Sequence, residues 1–398
     1  MSVQELQITK DNGFGKIALG IGVAALVASV AGFMTNRAEF FHAYLVAYCF
    51  WLGISLGSLF FTMLHHIVSA DWSTVFRRIS ESLMITMPVM AVLFIPIGLG
   101  IHDLYHWSHA EAVAADKTLQ HKAGWLNTGF FLVRAFIYFA IWTALAYSLY
   151  KTSLEQDKRY DEKHRATFKA ISAPGILLFA LSLTFAAWDW VMSLDPHWYS
   201  TIFGVYMFAG AWWATLAFIV FFSLYLRANG VLASEIKVDH YHDMGKLMFG
   251  FTVFWAYIAF SQFMLIWYGN IEEETIFYKH RWEHGWEYVS IFLGIGHFAI
   301  PFFSLLFRAA KRNLTFMRIM SAWMLFMHFT DLFWLIMPNL GAHGEQHAAH
   351  GVHVSWMHLT TFLGIGGIFL WFFWQRLTSA PLLPIGDARL KLSLEFHQ

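Results

Sequence analysis

Long apolar runs alternate with short polar breaks along the whole chain. The runs cover about 14–34, 40–68, 83–105, 126–150, 171–195, 200–229, 244–269, 287–308, 316–338 and 354–376. Each holds roughly 20 or more residues, enough to cross a bilayer as a helix. Lipid offers no partner to backbone N–H and C=O groups, so helices rather than open strands are expected. The pattern therefore predicts an all-α integral membrane protein of ten transmembrane helices in one domain over 1–398. Segment 1–13 and the tail 377–398 lie outside the runs, and no small-residue cleavage site follows the first run, so no cleavable signal is expected. The breaks at 106–125, 151–170 and 339–353 are too short for a soluble domain and read as loops or interfacial turns. Lys151–Lys169 reads as a solvated linker. Asp71–Glu81 sets Trp72, Val75, Phe76 and Ile79 against Arg77 and Arg78, the pattern of a short amphipathic helix on the inner membrane surface.

Charge orients these helices. Regions 1–16, 69–82, 151–170, 227–246, 308–318 and the tail from Arg376 carry most of the 26 Lys and Arg residues. The positive-inside rule then places both termini in the cytoplasm. The opposite loops hold His and Glu instead, as in His280, Arg281, Glu283 and His284 and in the run His343, His347, His350 and His353. Composition agrees with the class: 58% of residues are hydrophobic and 13% charged, with 41 Phe and 19 Trp. A net charge of +0 offers no basic footprint, and nucleic acid is not an expected partner. The single cysteine, Cys49, cannot form an intramolecular disulfide, an iron–sulfur cluster or a cysteine zinc site. Any metal centres for electron transfer are expected in partner subunits.

Against this apolar background Arg134, Asp189, Gln262, His297, His328 and Asp331 stand out. An ionisable group at the centre of a membrane helix costs about 2.5–3.5 kcal/mol on insertion scales, so such groups face partners or a polar path. His328 and Asp331 are three positions apart and share a helix face, where imidazole and carboxylate can pass a proton to or from a quinol hydroxyl. The same pair can simply hold neighbouring helices together. Asp189 lies between Trp188 and Trp190 in a site partly withheld from water, which suits a proton carrier or the ion-pair partner of a buried base. Arg134, permanently charged, needs an anion, with Asp189 and Asp331 as candidates. His297, in Gly294-Ile295-Gly296-His297, lies near mid-membrane among small residues that allow close helix approach. His284 and His297 have a spacing met between haem ligands, but no second helix repeats the pair, and no haem is expected. Gln262 and Tyr268 are candidate contacts for a quinone carbonyl, or plain interhelical hydrogen bonds. His65 and His66, approached by Ser55, Ser58 and Thr62, suit the inner mouth of a half-path or a solvated helix end. The run from His343 to His353 has one acidic residue, and no metal site is assigned to it.

Longer patterns add an architecture. His121-Lys122-Ala123-Gly124-Trp125 and His284-Gly285-Trp286 are loop echoes four helices apart. They suit two parallel four-helix bundles, helices 2–5 and 6–9, with helices 1 and 10 peripheral. The block Trp188-Asp189-Trp190-Val191-Met192-Ser193-Leu194-Asp195-Pro196-His197-Trp198-Tyr199-Ser200-Thr201-Ile202-Phe203-Gly204, continued by Tyr206 and Ala209-Gly210, resembles the ActF-type membrane subunits of bacterial Alternative Complex III. Phe41-His42-Ala43-Tyr44, Pro88 and the ten-helix topology extend the likeness over the chain. The resemblance implies a polysulfide-reductase-like (NrfD-like) fold with one outer helix beside each bundle. It further implies a bacterial inner-membrane subunit of a quinol:electron-acceptor oxidoreductase that delivers electrons to cytochrome c or a terminal oxidase. The implied partners are a sister NrfD-like membrane subunit, a peripheral iron–sulfur protein and c-type cytochrome subunits, with iron–sulfur clusters and haem c in those partners. It also implies that the better-defined quinol site belongs to the sister subunit. Asp189, His297, His328 and Asp331 are then expected to handle protons, with Arg134 as charge partner. The rival readings are a scaffold that docks the sister subunit, or a stand-alone secondary transporter, against which the lack of visible inverted repeats weighs.

Overall fold

The computed structural model describes residues 13–159, 161–340 and 351–397. Among them the fold is all helical, and ten helices are long and apolar enough to cross a membrane. They are span 1 (Phe14–Thr35), span 2 (Arg37–Ile67), span 3 (Trp72–Leu99), span 4 (Thr128–Lys158), span 5 (Lys163–Leu194), span 6 (Phe203–Ala228), span 7 (Val238–Gly269), span 8 (Trp286–Leu305), span 9 (Leu314–Asn339) and span 10 (Trp356–Leu377). The chain is a multi-pass membrane protein. Residues 1–12 and the histidines His343, His347 and His350 lie outside the described residues.

Two boundaries differ from the sequence reading for one reason: charge is buried here by pairing. The segment expected as a surface helix at Asp71–Glu81 is instead the buried start of span 3, with a 3-10 turn at Trp72–Phe76 and a helix at Arg77–Met84. Arg77 donates to Glu81 at 2.9 Å, to Ser153 at 3.0 Å, to Gln156 at 2.9 Å and to Asp387. Arg78 donates to Glu81 at 2.9 Å, to the Pro381 carbonyl at 3.0 Å and to Asp157. Each guanidinium is thus surrounded by acceptors, the condition for keeping a buried charge. The same network takes in part of the expected linker, Ser153, Gln156 and Asp157, where span 4 continues as helix to Lys158. Arg159 and the charged residues from Asp161 to Lys163 at the start of span 5 are exposed.

Spans 2 and 6 form the centre, with 94% and 83% of their apolar stretches buried. Span 2 packs on spans 3, 5, 6, 9 and 10, and span 6 on spans 2, 5, 7 and 9. Their crossing is tight because Gly57 faces Thr215, and a Cβ at Gly57 would meet the Thr215 hydroxyl at 2.1 Å. Spans 1 and 10 pair with each other at a second small-residue contact, Gly22 against Gly367, and both touch span 2.

Prolines shape the remaining spans. Pro88 and Pro96 each open a new short helix within span 3, at Met87–Leu93 and Ile95–Leu99. In span 8, Pro301 has no N–H for the His297 carbonyl four residues earlier, and the preceding turn Gly294–Ala299 is a π-helix. On the side opposite the basic loops, residues 105–127 fold over the ends of spans 4 and 5. Tyr105 donates to the Trp190 carbonyl at 2.9 Å, Trp107 to Ser193 at 3.2 Å and Lys122 to the Pro196 carbonyl at 2.6 Å. His197 and Asp116 close the contact at 2.5 Å. That hydrogen bond outweighs the opposing effect of burial and holds the Asp116 carboxyl below its ordinary value.

Candidate proton-handling site

The buried polar residues form two separate centres. The first joins spans 4 and 5. Asp189 accepts from Arg134 through Nε at 2.7 Å and Nη2 at 2.9 Å, a bidentate pair. Tyr138 donates to it at 2.8 Å, and Trp125, brought over by the preceding loop, at 2.9 Å. The guanidinium is held further by the Trp125 carbonyl at 2.8 Å and lies over the Trp125 and Phe130 rings at 4.2 and 4.3 Å. Asp189 thus receives four donors. Of the two partners open to Arg134, it is Asp189 that takes the charge.

The second centre lies among spans 6, 7, 8 and 9. Asp331 accepts from the Tyr206 hydroxyl and, at 3.2 Å, from Trp255 Nε1. His297 is clamped between the rings of Trp213 and Trp255, with centroids 4.0 and 3.7 Å away. The π-turn of span 8 puts this histidine into the protein interior. His328 lies one turn before Asp331 on span 9, beside the Phe50 ring. The close approach of Gly210 leaves room for both side chains: a Cβ there would meet His328 at 3.0 Å and Asp331 at 3.6 Å. One ligand-type atom from each of His297, His328 and Asp331 falls within 4.8 Å of the others. Both ring nitrogens of His297 and both of His328 are buried with no hydrogen-bond partner among the described residues. A buried imidazole in that state has unused donor and acceptor capacity, the requirement for carrying a proton or gripping a ligand.

Sequence reasoning placed His297, His328 and Asp331 in one set with Asp189; the structure brings the first three together and leaves Asp189 in the other centre. Gln262 is buried, accepting from Ser200 at 2.9 Å and donating to Tyr278 at 3.1 Å. Tyr268 is 80% exposed and does not join Gln262. Six helical positions turn the two about 120° apart, so they cannot share a face. His284 is exposed in the turn before span 8, whereas His297 is buried. Tyr206, Trp255, Trp213, Tyr138, Trp125 and Tyr278 escaped sequence reasoning. Nothing in a chain this rich in aromatics separates a ring that holds a carboxylate from one that packs. Tyr206 carried a signal through its place beside the Trp188–Gly204 block, and Trp125 through the His121–Trp125 loop echo.

Hydroxyl groups run from the basic side toward the second centre. Thr62 meets Ser80 at 3.0 Å, and Ser55 meets Thr86 at 2.5 Å. Ser58 Oγ and His66 Nε2 are buried without hydrogen-bond partners among the described residues. A small, mainly apolar space of about 40 Å³, lined by Cys49, Gly53, Trp142, Leu183 and Ala211, reaches His328.

On the opposite side, Arg281 is buried and donates to the Trp334 and Leu335 carbonyls at 3.2 and 2.9 Å, capping the end of span 9. Burial lowers its pKa to about 9. Compared with models of known families and with curated proteins, the chain matches none.

Proposed function

We propose that this chain is a proton-handling membrane subunit of a quinol-oxidising respiratory complex of the Alternative Complex III type. The observation that carries the reading is the cluster of unpartnered imidazole nitrogens on His297 and His328 beside the Asp331 carboxylate, deep in a membrane-spanning bundle. Quinol oxidation releases protons, and a carboxylate with two free imidazoles is a relay that can take them up and pass them on. The hydroxyl series from His66 to Ser55 would serve as the basic-side half of the path, and Tyr206 with the Asp331 carboxylate as its opposite end. Asp189 and Arg134 would hold the other half of the molecule rigid.

The packing is compatible with two four-helix groups, spans 2–5 and 6–9, meeting at spans 2, 5, 6 and 9. The mutual pairing of spans 1 and 10 fits less well with one outer helix beside each group. In this reading the termini are cytoplasmic, the membrane is the bacterial inner membrane, and the chain lacks redox centres of its own. Iron–sulfur clusters and haem c would belong to the partner subunits, and a sister membrane subunit would lie alongside. The test is quinol:acceptor turnover with proton release in the intact complex bearing Asp331→Asn. Loss of either at normal subunit content supports the relay. Unchanged turnover and proton release would leave the chain a docking scaffold.

The donor set of His297, His328 and Asp331 favours one second reading, a buried metal centre, because two imidazoles and a carboxylate suit first-row ions. Stoichiometric metal in the purified protein, lost in His297→Phe, would decide for it.

A further inference from the structure

A cleft of about 560 Å³ opens between spans 7 and 8, within the size range of small-molecule sites. Tyr257 and Phe260, 66% and 62% exposed, stand at its lipid-facing mouth. Its inner wall includes Tyr206 and Trp255, the same two residues that donate to Asp331. The π-turn beginning at Gly294 borders it, and a Cβ at Gly294 would have no neighbour within 4 Å.

The cleft is apolar and largely aromatic apart from Ser290, whose hydroxyl donates to the Arg281 carbonyl and accepts from Trp334, and one end where Gln262 and Tyr278 meet. The Tyr278 hydroxyl accepts from Gln262, and its own proton has no acceptor among the described residues. Burial pushes that hydroxyl up to about 12, so it stays a donor at neutral pH. Gln262 uses one amide proton on Tyr278 and has a second without an acceptor among the described residues. Two donors thus remain for oxygens of a guest, inside walls suited to stacking a flat ring. A wider cleft of about 730 Å³ beside span 10 is lined largely by Phe and Leu side chains, and its Ser355 and His358 are engaged with each other at 3.3 Å, so it suits acyl chains.

We infer that the cleft between spans 7 and 8 binds a membrane-soluble ring compound with an apolar tail, its hydroxyl or carbonyl oxygens held by Gln262 and Tyr278. Resting on the reading above, the compound is of the quinol class, and this chain then has its own ring site next to Asp331. A lipid with a hydroxylated headgroup shares the oxygen chemistry but not the ring.

The test is photolabelling of native membranes with an alkyl-tailed azidoquinone, followed by mapping of the labelled peptides of this chain. Labelling within 253–298, competed by a short-chain quinol but not by ringless diacylglycerol, supports the site. Gly294→Leu, which fills the cleft, is expected to cut labelling about tenfold. Tyr278→Phe keeps the ring in place and is expected to cut it several-fold. Leu359→Trp, in the wider cleft, leaves it unchanged. Labelling elsewhere in the chain, labelling indifferent to both Gly294→Leu and Tyr278→Phe, or equal competition by diacylglycerol overturns the proposal. Labelling needs no turnover, so loss of the ring site would leave the Asp331→Asn result standing, and the reverse also holds.

Discussion

Asp189 and Asp331 are the same residue type, buried to 0% and 1% exposure on neighbouring parts of one membrane protein, yet their surroundings differ in kind. Asp189 is saturated: a bidentate arginine, a tyrosine and a tryptophan fill its oxygens. Asp331 has two neutral donors, and beside it four imidazole nitrogens have no hydrogen-bond partner among the described residues. Burial alone therefore does not mark a working carboxylate; unfilled hydrogen-bonding capacity around it does. The sharpest way to break this comparison is to remove the cation from the saturated side. Arg134→Leu leaves a buried carboxylate without its charge partner and is expected to cost about 3–5 kcal/mol. Thermal unfolding of the purified protein should show it as a steep loss of stability and yield. A near-neutral result would mean that Asp189 was not held by the pair.

The other side should fail in the opposite way. Asp331→Asn keeps the shape, its amide oxygen able to accept from Trp255 and its NH2 to donate to the Tyr206 oxygen. Subunit content should therefore hold while turnover with proton release falls by about 100-fold, the lower end of general acid–base contributions. His297→Phe sharpens the contrast. A phenyl ring preserves the stack between Trp213 and Trp255 and removes two orphaned buried nitrogens, so the unfolding temperature should stay level or rise. Activity should fall all the same. If the two residues act in one relay, the double variant will be no worse than the worse single one, a departure from additivity that a double-mutant cycle reads directly. Fully additive losses would divide the centre into independent parts.

How much of this could be read from the sequence follows from geometry. Apolar run length marks membrane helices without reference to neighbours, and the ten spans appear near their expected positions. The pairing of His328 with Asp331 was legible because three positions always share a helix face. Asp189 was ambiguous because its fate depends on how spans 4 and 5 are rotated and on where a loop carries Trp125. Neither is encoded in spacing. Arg77 and Arg78 misled in the same manner: their acceptors, Asp157 and Asp387, are distant in sequence, so an internal ion network read as a polar surface. Tyr268 is turned away from Gln262 by rotation too, and Tyr278, not visible in the spacing, is the residue that meets Gln262.

The smallest expected effect concerns the far end of that network and separates pH dependence of the latch from that of the site. The segment after span 10 is fastened by Asp387, which accepts from Arg389 at 2.7 Å and from Arg77, and by Ser393, whose hydroxyl donates to the Trp72 carbonyl at 2.8 Å. Burial pushes the Asp387 carboxyl up, but the guanidinium groups of Arg389 and Arg77 outweigh it and hold it well below the ordinary carboxylate range. A carboxyl depressed in the folded state contributes stability above its unfolded value of about 3.9, and loses it only as pH falls through the lower folded value. Proteolysis of the 381–395 segment should therefore stay flat from pH 8 to 5 and rise only below about pH 4. Asp387→Asn should raise it already at neutral pH, by a few-fold, without lowering turnover. If activity instead falls between pH 8 and 5 while the segment stays protected, the titrating groups lie in the membrane centre and not in the latch. Release of the segment in that same window would tie both to the ion network and erase the distinction between a saturated scaffold and an unsaturated site.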